Sequence, residues 1–138
     1  MTLRLPGAEP FRTVLADPPW ASEPGGGRIR RGADAHYALM SNDGIVSAMT
    51  GAPQWRSVGQ DAHIYLWATN NGLEDGLHVV KALGFRYVTM ITWTKTVVDV
   101  PAGGHGRQAK GGLGRYHCGV TEQLLFGVRG NAMVPAPI

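Results

Sequence analysis

Residues 11–20 read FRTVLADPPW, and this stretch decides where the first strand of the fold must end. Phe11 to Ala16 is rich in β-formers and runs directly into Asp17-Pro18-Pro19. Proline cannot donate a hydrogen bond to a β-ladder, so the strand stops there. A strand that ends in a polar residue and a forced loop is typical of open α/β sheets, which place their chemistry at the carboxyl ends of strands. The same residues also fit an ordinary turn, because Asp and Pro are common turn residues.

Downstream of this loop, the sequence predicts a strand, a helix and a second strand in succession. Ala62 to Thr69 (AHIYLWAT) is mostly apolar, which is typical of a buried central strand. Leu73, Leu77 and Val80 recur at i, i+4 and i+7, which indicates an amphipathic helix. Arg86 to Thr96 (RYVTMITWTKT) is the second β-rich run. This order favours a right-handed crossover between two parallel, paired strands.

Capping residues set the predicted helix boundaries. Ser41 is a good N-cap for a short helix over Asn42 to Thr50. Asn70 and Asn71 can cap the second helix, and Gly84 stands where a glycine that ends a helix is expected.

The last predicted strand is Thr121 to Arg129 (TEQLLFGVR). Trp67 and Trp93 lie within apolar strands, and we expect both in the core. The total is about four strands and two helices, which makes the predicted fold class α/β.

Composition bounds the class of protein. The chain has 138 residues, of which 43% are hydrophobic and 17% charged, and this fits one globular domain. The formal net charge of +3 permits a polyanionic partner without demanding one. The single cysteine, Cys118, excludes an intrachain disulfide, and neither a signal peptide nor a membrane-spanning run is evident. We therefore expect a cytoplasmic protein.

Two glycine-rich stretches, at Gly25–Gly27 and Gly103–Gly114, are followed or interrupted by basic residues. We expect these loops to flank the pocket at Asp17. Their glycines match neither G-x-G-x-x-G nor G-x-x-x-x-G-K-[ST], so the sequence predicts no nucleotide cradle there. The basic residues either follow a nucleic-acid phosphate backbone or lie on solvated loops. His105, His117 and Cys118 lack the spacing of zinc ligands, and we expect no metal site. The basic residues are Arg28, Arg30, Arg31, Arg107, Lys110 and Arg115.

Asp17-Pro18-Pro19-Trp20 resembles motif IV of amino-methyltransferases, a short [D/N/S]-P-P-[Y/F/W] sequence. Over a wider span the chain resembles the MT-A70 family of adenine-N6 methyltransferases, especially its compact bacterial and phage-type members. The order and spacing of the shared segments fit from about Phe11 to Gly130. These segments are VLADPPW (Val14–Trp20), YALMS (Tyr37–Ser41), IYLWATNN (Ile64–Asn71), GFRYVTMITWTKT (Gly84–Thr96) and GLGRYHCGVTEQLLFGVRG (Gly112–Gly130).

The resemblance implies part of the Rossmann-like sheet of a methyltransferase whose cofactor is S-adenosylmethionine. The implied activity is methylation of the N6 amine of adenine in nucleic acid, with DNA favoured over RNA. The partial catalytic domain would cover residues 11–130, between a loose lead-in at 1–10 and a tail at 131–138.

The same resemblance assigns the chemistry of Asp17 to Trp20. An exocyclic amine is a poor nucleophile because its lone pair is delocalised into the ring. The Asp17 carboxylate and the Pro18 backbone carbonyl would accept the two amine hydrogens, and the two prolines, Pro18 and Pro19, would fix the backbone. Trp20 would offer a flat face on which the extruded base stacks. Asp17 would also border the cofactor.

Three further residues are placed beside the target base by the resemblance. Tyr37 would border the base, Glu122 would help to hold the adenine, and Lys95 would face phosphate or brace the pocket. Each has a plainer alternative. Tyr37 would pack under the loop, Glu122 would satisfy backbone amides before a buried strand, and Lys95 would be a solvated charge at a strand end.

Two departures from the family pattern affect these expectations. Gln123 stands where the family commonly has histidine, and the family's late cofactor-binding segments do not follow Gly130. We therefore expect a sheet with an open edge and an exposed apolar face. The chain is then a truncated or split methyltransferase, or else a non-catalytic nucleic-acid-binding or partner subunit. A second chain or self-association would cover the open edge.

Overall fold

A computed structural model describes residues 9–21, 38–97, 108–109 and 119–132. Helices and strands alternate along most of this part of the chain. The elements are β1 (Phe11–Ala16), α1 (Asn42–Gly51), a 3-10 helix (Pro53–Ser57), β2 (Val58–Ala68), α2 (Leu73–Ala82), β3 (Arg86–Thr94), β4 (Thr96–Val97), β5 (Gln108–Ala109) and β6 (Thr121–Arg129).

The main sheet has four strands in the order β1-β2-β6-β3. β1 is parallel to β2, whereas β6 is antiparallel to both β2 and β3. β4 and β5 form a separate antiparallel pair. The mixed α/β sheet confirms the predicted fold class, and the last strand has the predicted bounds.

The predicted pairing of the second and third long strands is wrong. β2 and β3 run in the same direction, but β6 lies between them. The physical reason is burial. Gln123, Leu125 and Gly127 of β6 are buried, whereas every residue of β3 is exposed, so the more buried strand takes the inner position.

The core lies between one face of the sheet and the two helices. Its six largest fully buried side chains come from both helices and from the two central strands, and each is worth about 1.5–3 kcal/mol of burial. An added Cβ at Gly127 would lie 2.9 Å from Ile64 Cγ2 and 3.1 Å from Val80 Cγ1, so α2 approaches β6 closely. The six side chains are Ile45, Ile64, Leu66, Val79, Val80 and Leu125.

The helix caps agree in part with the predictions. The Ser41 side chain accepts a hydrogen bond from the Gly44 backbone N–H at 3.1 Å, which confirms the first cap. Gly84, at φ +83°, follows the second helix as expected. The prediction for the start of that helix is wrong, because Gly72 is its N-cap and no side chain caps it. Among the described residues, no helix is long and apolar enough to cross a membrane.

The opposite face of the sheet carries an aromatic layer. Strand alternation and register place Tyr65 and Trp67 on this face with Phe126 and Trp93. The Tyr65 and Phe126 ring centroids are 5.0 Å apart, and those of Trp67 and Trp93 are 5.8 Å apart in an edge-to-face pair. Both described helices pack on the other face.

Exposure on this aromatic face corrects one prediction. Trp93 is 51% exposed, so its predicted place in the core is wrong, while Trp67 is half-buried. At the far edge, Leu15 of β1 is 70% exposed. Sheets of this class bury both faces under helices, so the described part of the fold leaves one apolar face for a further cover.

Candidate active site

The predicted site residues meet at one edge of the sheet. β1, β2 and β3 run the same way, so their carboxyl ends lie together, beside the amino end of the antiparallel β6. Asp17 follows β1, Lys95 follows β3 and Glu122 is the second residue of β6. Neighbouring strands are about 4.8 Å apart, so β1 and β6 are separated by roughly 10 Å across this edge.

The Pro18-Pro19-Trp20 segment forms a three-residue turn. The backbone N–H of Trp20 donates to the Pro18 carbonyl at 2.9 Å. Such a turn needs a central residue with φ near −75°, and the ring of Pro19 holds φ close to that value. The Pro18 carbonyl is therefore held in one direction, and because a carbonyl oxygen has two lone pairs it retains one for another donor.

The far side of this loop is tied to the start of α1. Met40 N–H donates to the Pro19 carbonyl at 2.8 Å, and Ala21 N–H donates to the Met40 carbonyl at 3.1 Å. Met40 directly precedes Ser41, the N-cap of α1, so the loop and the helix start share one rigid junction.

Trp20 lies in the core. The side chain is 7% exposed, and its indole Nε1 donates to the backbone carbonyl of Trp67 at 2.9 Å. The role of Trp20 as a stacking face for the base stays a prediction. Asp17 next to it is exposed, as a group that contacts a substrate must be.

Lys95 and Glu122 form an ion pair. Both side chains are partly exposed, so solvent screens the pair and its contribution to stability is small. The Lys95 ammonium also lies 5.9 Å from the centre of the Trp93 ring. The structure thus brings two of the predicted site residues into direct contact, beside the aromatic face.

A polar network beneath this edge was missed by the sequence reasoning. Thr92 Oγ1 donates to Gln123 Oε1 at 2.8 Å, and Gln123 Nε2 donates to Asn70 Oδ1 at 3.1 Å. Asn70 Nδ2 donates in turn to the Thr121 carbonyl at 3.0 Å. The signal in the sequence was a glutamine at an inward position of an apolar strand, where a buried amide requires partners. Gln123, the residue that departs from the family pattern, thus has hydrogen-bond partners for both its amide oxygen and its amide nitrogen.

Several predicted site residues lie outside the described residues. They comprise the base-bordering tyrosine, the basic loops and the histidine and cysteine candidates, and their predicted roles stay predictions. They are Tyr37, Arg28, Arg30, Arg31, Arg107, Lys110, Arg115, His105, His117 and Cys118.

The described residues do not make a complete site for a methyl donor. Asp17 is the one predicted cofactor contact among them, and it lies at the open end of β1. A cavity of about 280 Å³ lies at the opposite edge of the sheet, lined by Trp55, Val58, Gln60 and Arg129. Arg129 there donates to the Gly59 carbonyl at 2.6 Å and lies 4.8 Å from the centre of the Phe85 ring, which explains it as a packing residue.

Comparison with known proteins agrees with this arrangement. Residues 11–136 match the MT-A70 family. The chain is 28% identical over 130 residues to an N(6)-adenosine-methyltransferase MT-A70-like protein of Drosophila melanogaster, covering 88% of this chain and 17% of that protein. It is 26% identical over 133 residues to a probable N(6)-adenosine-methyltransferase MT-A70-like protein of Oryza sativa subsp. japonica, covering 90% and 15%.

The chain spans about a sixth of the length of these curated relatives. Its mixed four-stranded sheet with two helices is consistent with part of a Rossmann-like methyltransferase fold. The match covers all of β1 to β6, including the Asp17-Pro18-Pro19-Trp20 loop and the Lys95–Glu122 pair. The chain therefore belongs to the MT-A70 family.

Proposed function

We propose that this chain carries the amine-binding part of an S-adenosylmethionine-dependent methyltransferase that modifies adenine N6 in nucleic acid. DNA is the favoured polymer and RNA the alternative. The observation that carries the proposal is the Asp17-Pro18-Pro19 loop at the carboxyl end of β1, with an exposed carboxylate beside a carbonyl held by the Trp20 N–H.

A carboxylate next to an oriented backbone carbonyl suits an exocyclic amine. The Asp17 carboxylate accepts one amine hydrogen, and the free lone pair of the Pro18 carbonyl accepts the other. Accepting both hydrogens returns electron density to nitrogen, and acceptors that are already oriented need no reorganisation during the reaction. S-adenosylmethionine would supply the methyl group, at a site that Asp17 borders.

Glu122 and Lys95 complete the proposed adenine site. The Lys95 ammonium holds the Glu122 carboxylate at the same sheet edge as Asp17. A carboxylate oriented by this ion pair can accept a hydrogen bond from the base, which supports the role that the family pattern gives to Glu122.

Nucleic acid is the proposed partner of the basic loops. Their arginine and lysine side chains would contact phosphates, which gives binding that weakens as salt rises. An enzyme that acts on a base inside a duplex must extrude it. A site at the carboxyl ends of the strands suits an extruded base.

The test is transfer of isotopically labelled methyl from S-adenosylmethionine to adenine-containing DNA and RNA, in single- and double-stranded forms. We expect label in N6-methyladenine, and at least about a 100-fold loss of transfer in Asp17→Ala, because a preorganised acceptor is removed. Arg56→Ala, in the 3-10 helix at the opposite edge, is the matched control. Label at another position of the base, or wild-type turnover by Asp17→Ala, would overturn the proposal.

A second candidate function is a non-catalytic nucleic-acid-binding or partner subunit. The exposed apolar face and the single described contact for the donor favour it. Calorimetry with S-adenosylmethionine separates the two: stoichiometric binding by this chain alone contradicts the non-catalytic function. In either case we propose that another chain or a second copy covers the open sheet.

A further inference from the structure

We propose that Trp20 is a positioning residue, whose two N–H groups fix the direction of the Pro18 carbonyl. This inference rests on the proposed function, in which that carbonyl accepts an amine hydrogen. It is an alternative to the stacking role and uses the burial of the Trp20 side chain.

The backbone N–H of Trp20 acts on the carbonyl directly. It donates to Pro18 O at 2.9 Å and closes the turn centred on Pro19. A three-residue turn contains a single hydrogen bond, here from the Trp20 N–H to the Pro18 carbonyl. The direction of that carbonyl therefore depends on the position at which residue 20 is held. Pro19 restricts φ, but ψ of Pro19 remains free unless the following residue is anchored.

The indole N–H supplies the anchor to β2, beside the backbone bridge to Met40. It donates to the Trp67 carbonyl of β2 at 2.9 Å, across a separation of 47 residues in the chain. The indole is buried with the core side chains, and a buried indole N–H requires a partner. Residue 20 is thus fixed to the central strand, and the turn is fixed with it.

The contacts with Met40 also hold the backbone of residue 20. The Met40 N–H donates to the Pro19 carbonyl and the Ala21 N–H donates to the Met40 carbonyl, so they form a bridge that flanks Trp20 without involving its side chain. Substitution of the indole therefore leaves the loop attached to α1 while it detaches residue 20 from β2. This separates loss of carbonyl direction from loss of the whole loop.

Positioning and stacking predict different effects of Trp20→Phe. Phenylalanine keeps an apolar ring and can stack on a base, but it has no N–H to donate. If Trp20 stacked, Trp20→Phe would retain kcat and change KM modestly. If Trp20 positions the Pro18 carbonyl, kcat falls by about 10- to 100-fold with KM nearly unchanged, because an acceptor is misaligned in the transition state.

The experiment measures methyl transfer and amide exchange on the same proteins. Wild type, Trp20→Phe and the control Trp55→Phe, which alters an indole at the opposite edge of the sheet, are compared by steady-state kinetics and by NMR hydrogen exchange. We expect slow exchange of the residue 20 amide in wild type and in Trp55→Phe. In Trp20→Phe we expect protection of that amide to fall by at least about 10-fold, with the β2 amides unchanged.

Each outcome decides one question. Unchanged protection of the residue 20 amide in Trp20→Phe overturns the positioning role, as does wild-type kcat with a raised KM. If the wild-type protein transfers no methyl group, the proposed function fails, and the exchange measurement alone decides whether Trp20 fixes the turn.

Discussion

Replacement of Gly127 tests the packing that puts β6 at the centre of the sheet. An added Cβ at this position would lie 2.9 Å from Ile64 Cγ2, 3.1 Å from Val80 Cγ1 and 3.2 Å from the Arg86 carbonyl oxygen. Ile64 and Val80 are both fully buried, so neither has free space into which it can move. Gly127→Ala is therefore expected to destabilise the protein.

Two opposing terms set the size of the effect. Overpacking of a filled core costs about 1–3 kcal/mol. Restriction of the unfolded chain when glycine becomes alanine returns about 0.4–1 kcal/mol, since the φ of Gly127 is not positive. The net loss is about 1–2 kcal/mol in the free energy of unfolding. For a domain of this size that lowers Tm by roughly 3–8 °C.

Urea unfolding followed by circular dichroism, with thermal unfolding beside it, measures the change. Gly59→Ala in β2 is the matched control, because an added Cβ there meets its nearest atoms at 3.5 Å, which is ordinary contact. The control should be neutral or slightly stabilising. If Gly127→Ala is as stable as Gly59→Ala, α2 does not pack onto β6 as closely as the structure has it.

The remaining predictions concern the site edge and the exposed face. Gln123→Ala removes the shared partner of the Asn70 and Thr92 side chains, which are themselves exposed, so we expect a loss of about 0.5–1.5 kcal/mol in urea unfolding; no loss would show that water replaces the amide. Ile91→Lys places a charge on the exposed β3 strand and should lower concentration-dependent association in sedimentation with little change in Tm, because the side chain is half-exposed already. Leu15→Lys makes the same change on β1: association lowered by Ile91→Lys alone assigns the contact to the β3 edge, and association insensitive to both variants argues against self-association through this sheet.

Local signals in the sequence predicted local structure well. The prolines after Asp17 end β1, Ser41 caps α1 and Gly84 follows α2, because each depends on backbone chemistry within a few residues. The position of β6 between β2 and β3 could not be predicted from such local signals. Alternation along a strand shows which faces are buried, but it carries no information on which strand forms the next ladder.

Trp93 and Asn70 show a second limit. An apolar residue in a strand predicts burial only if something covers that face, and the described part of the fold leaves the face of Trp93 open. An asparagine before a helix fits a cap as well as a tertiary contact, and Asn70 binds Thr121 and Gln123 instead. In both cases tertiary packing decides, and the local pattern carries no information on it.

The loop at Asp17 depends on few parts of the chain. The turn at Pro19, the contact of Trp20 with β2 and the contacts of Met40 with the loop all lie within the described residues, and none of them involves the open face. The proposed amine acceptors can therefore keep their geometry whether or not a donor site is completed by other residues. Adenine binding and methyl transfer are then separable properties. Since the acceptors bind the amine directly, Asp17→Ala should weaken adenine binding even under conditions in which no methyl group is transferred.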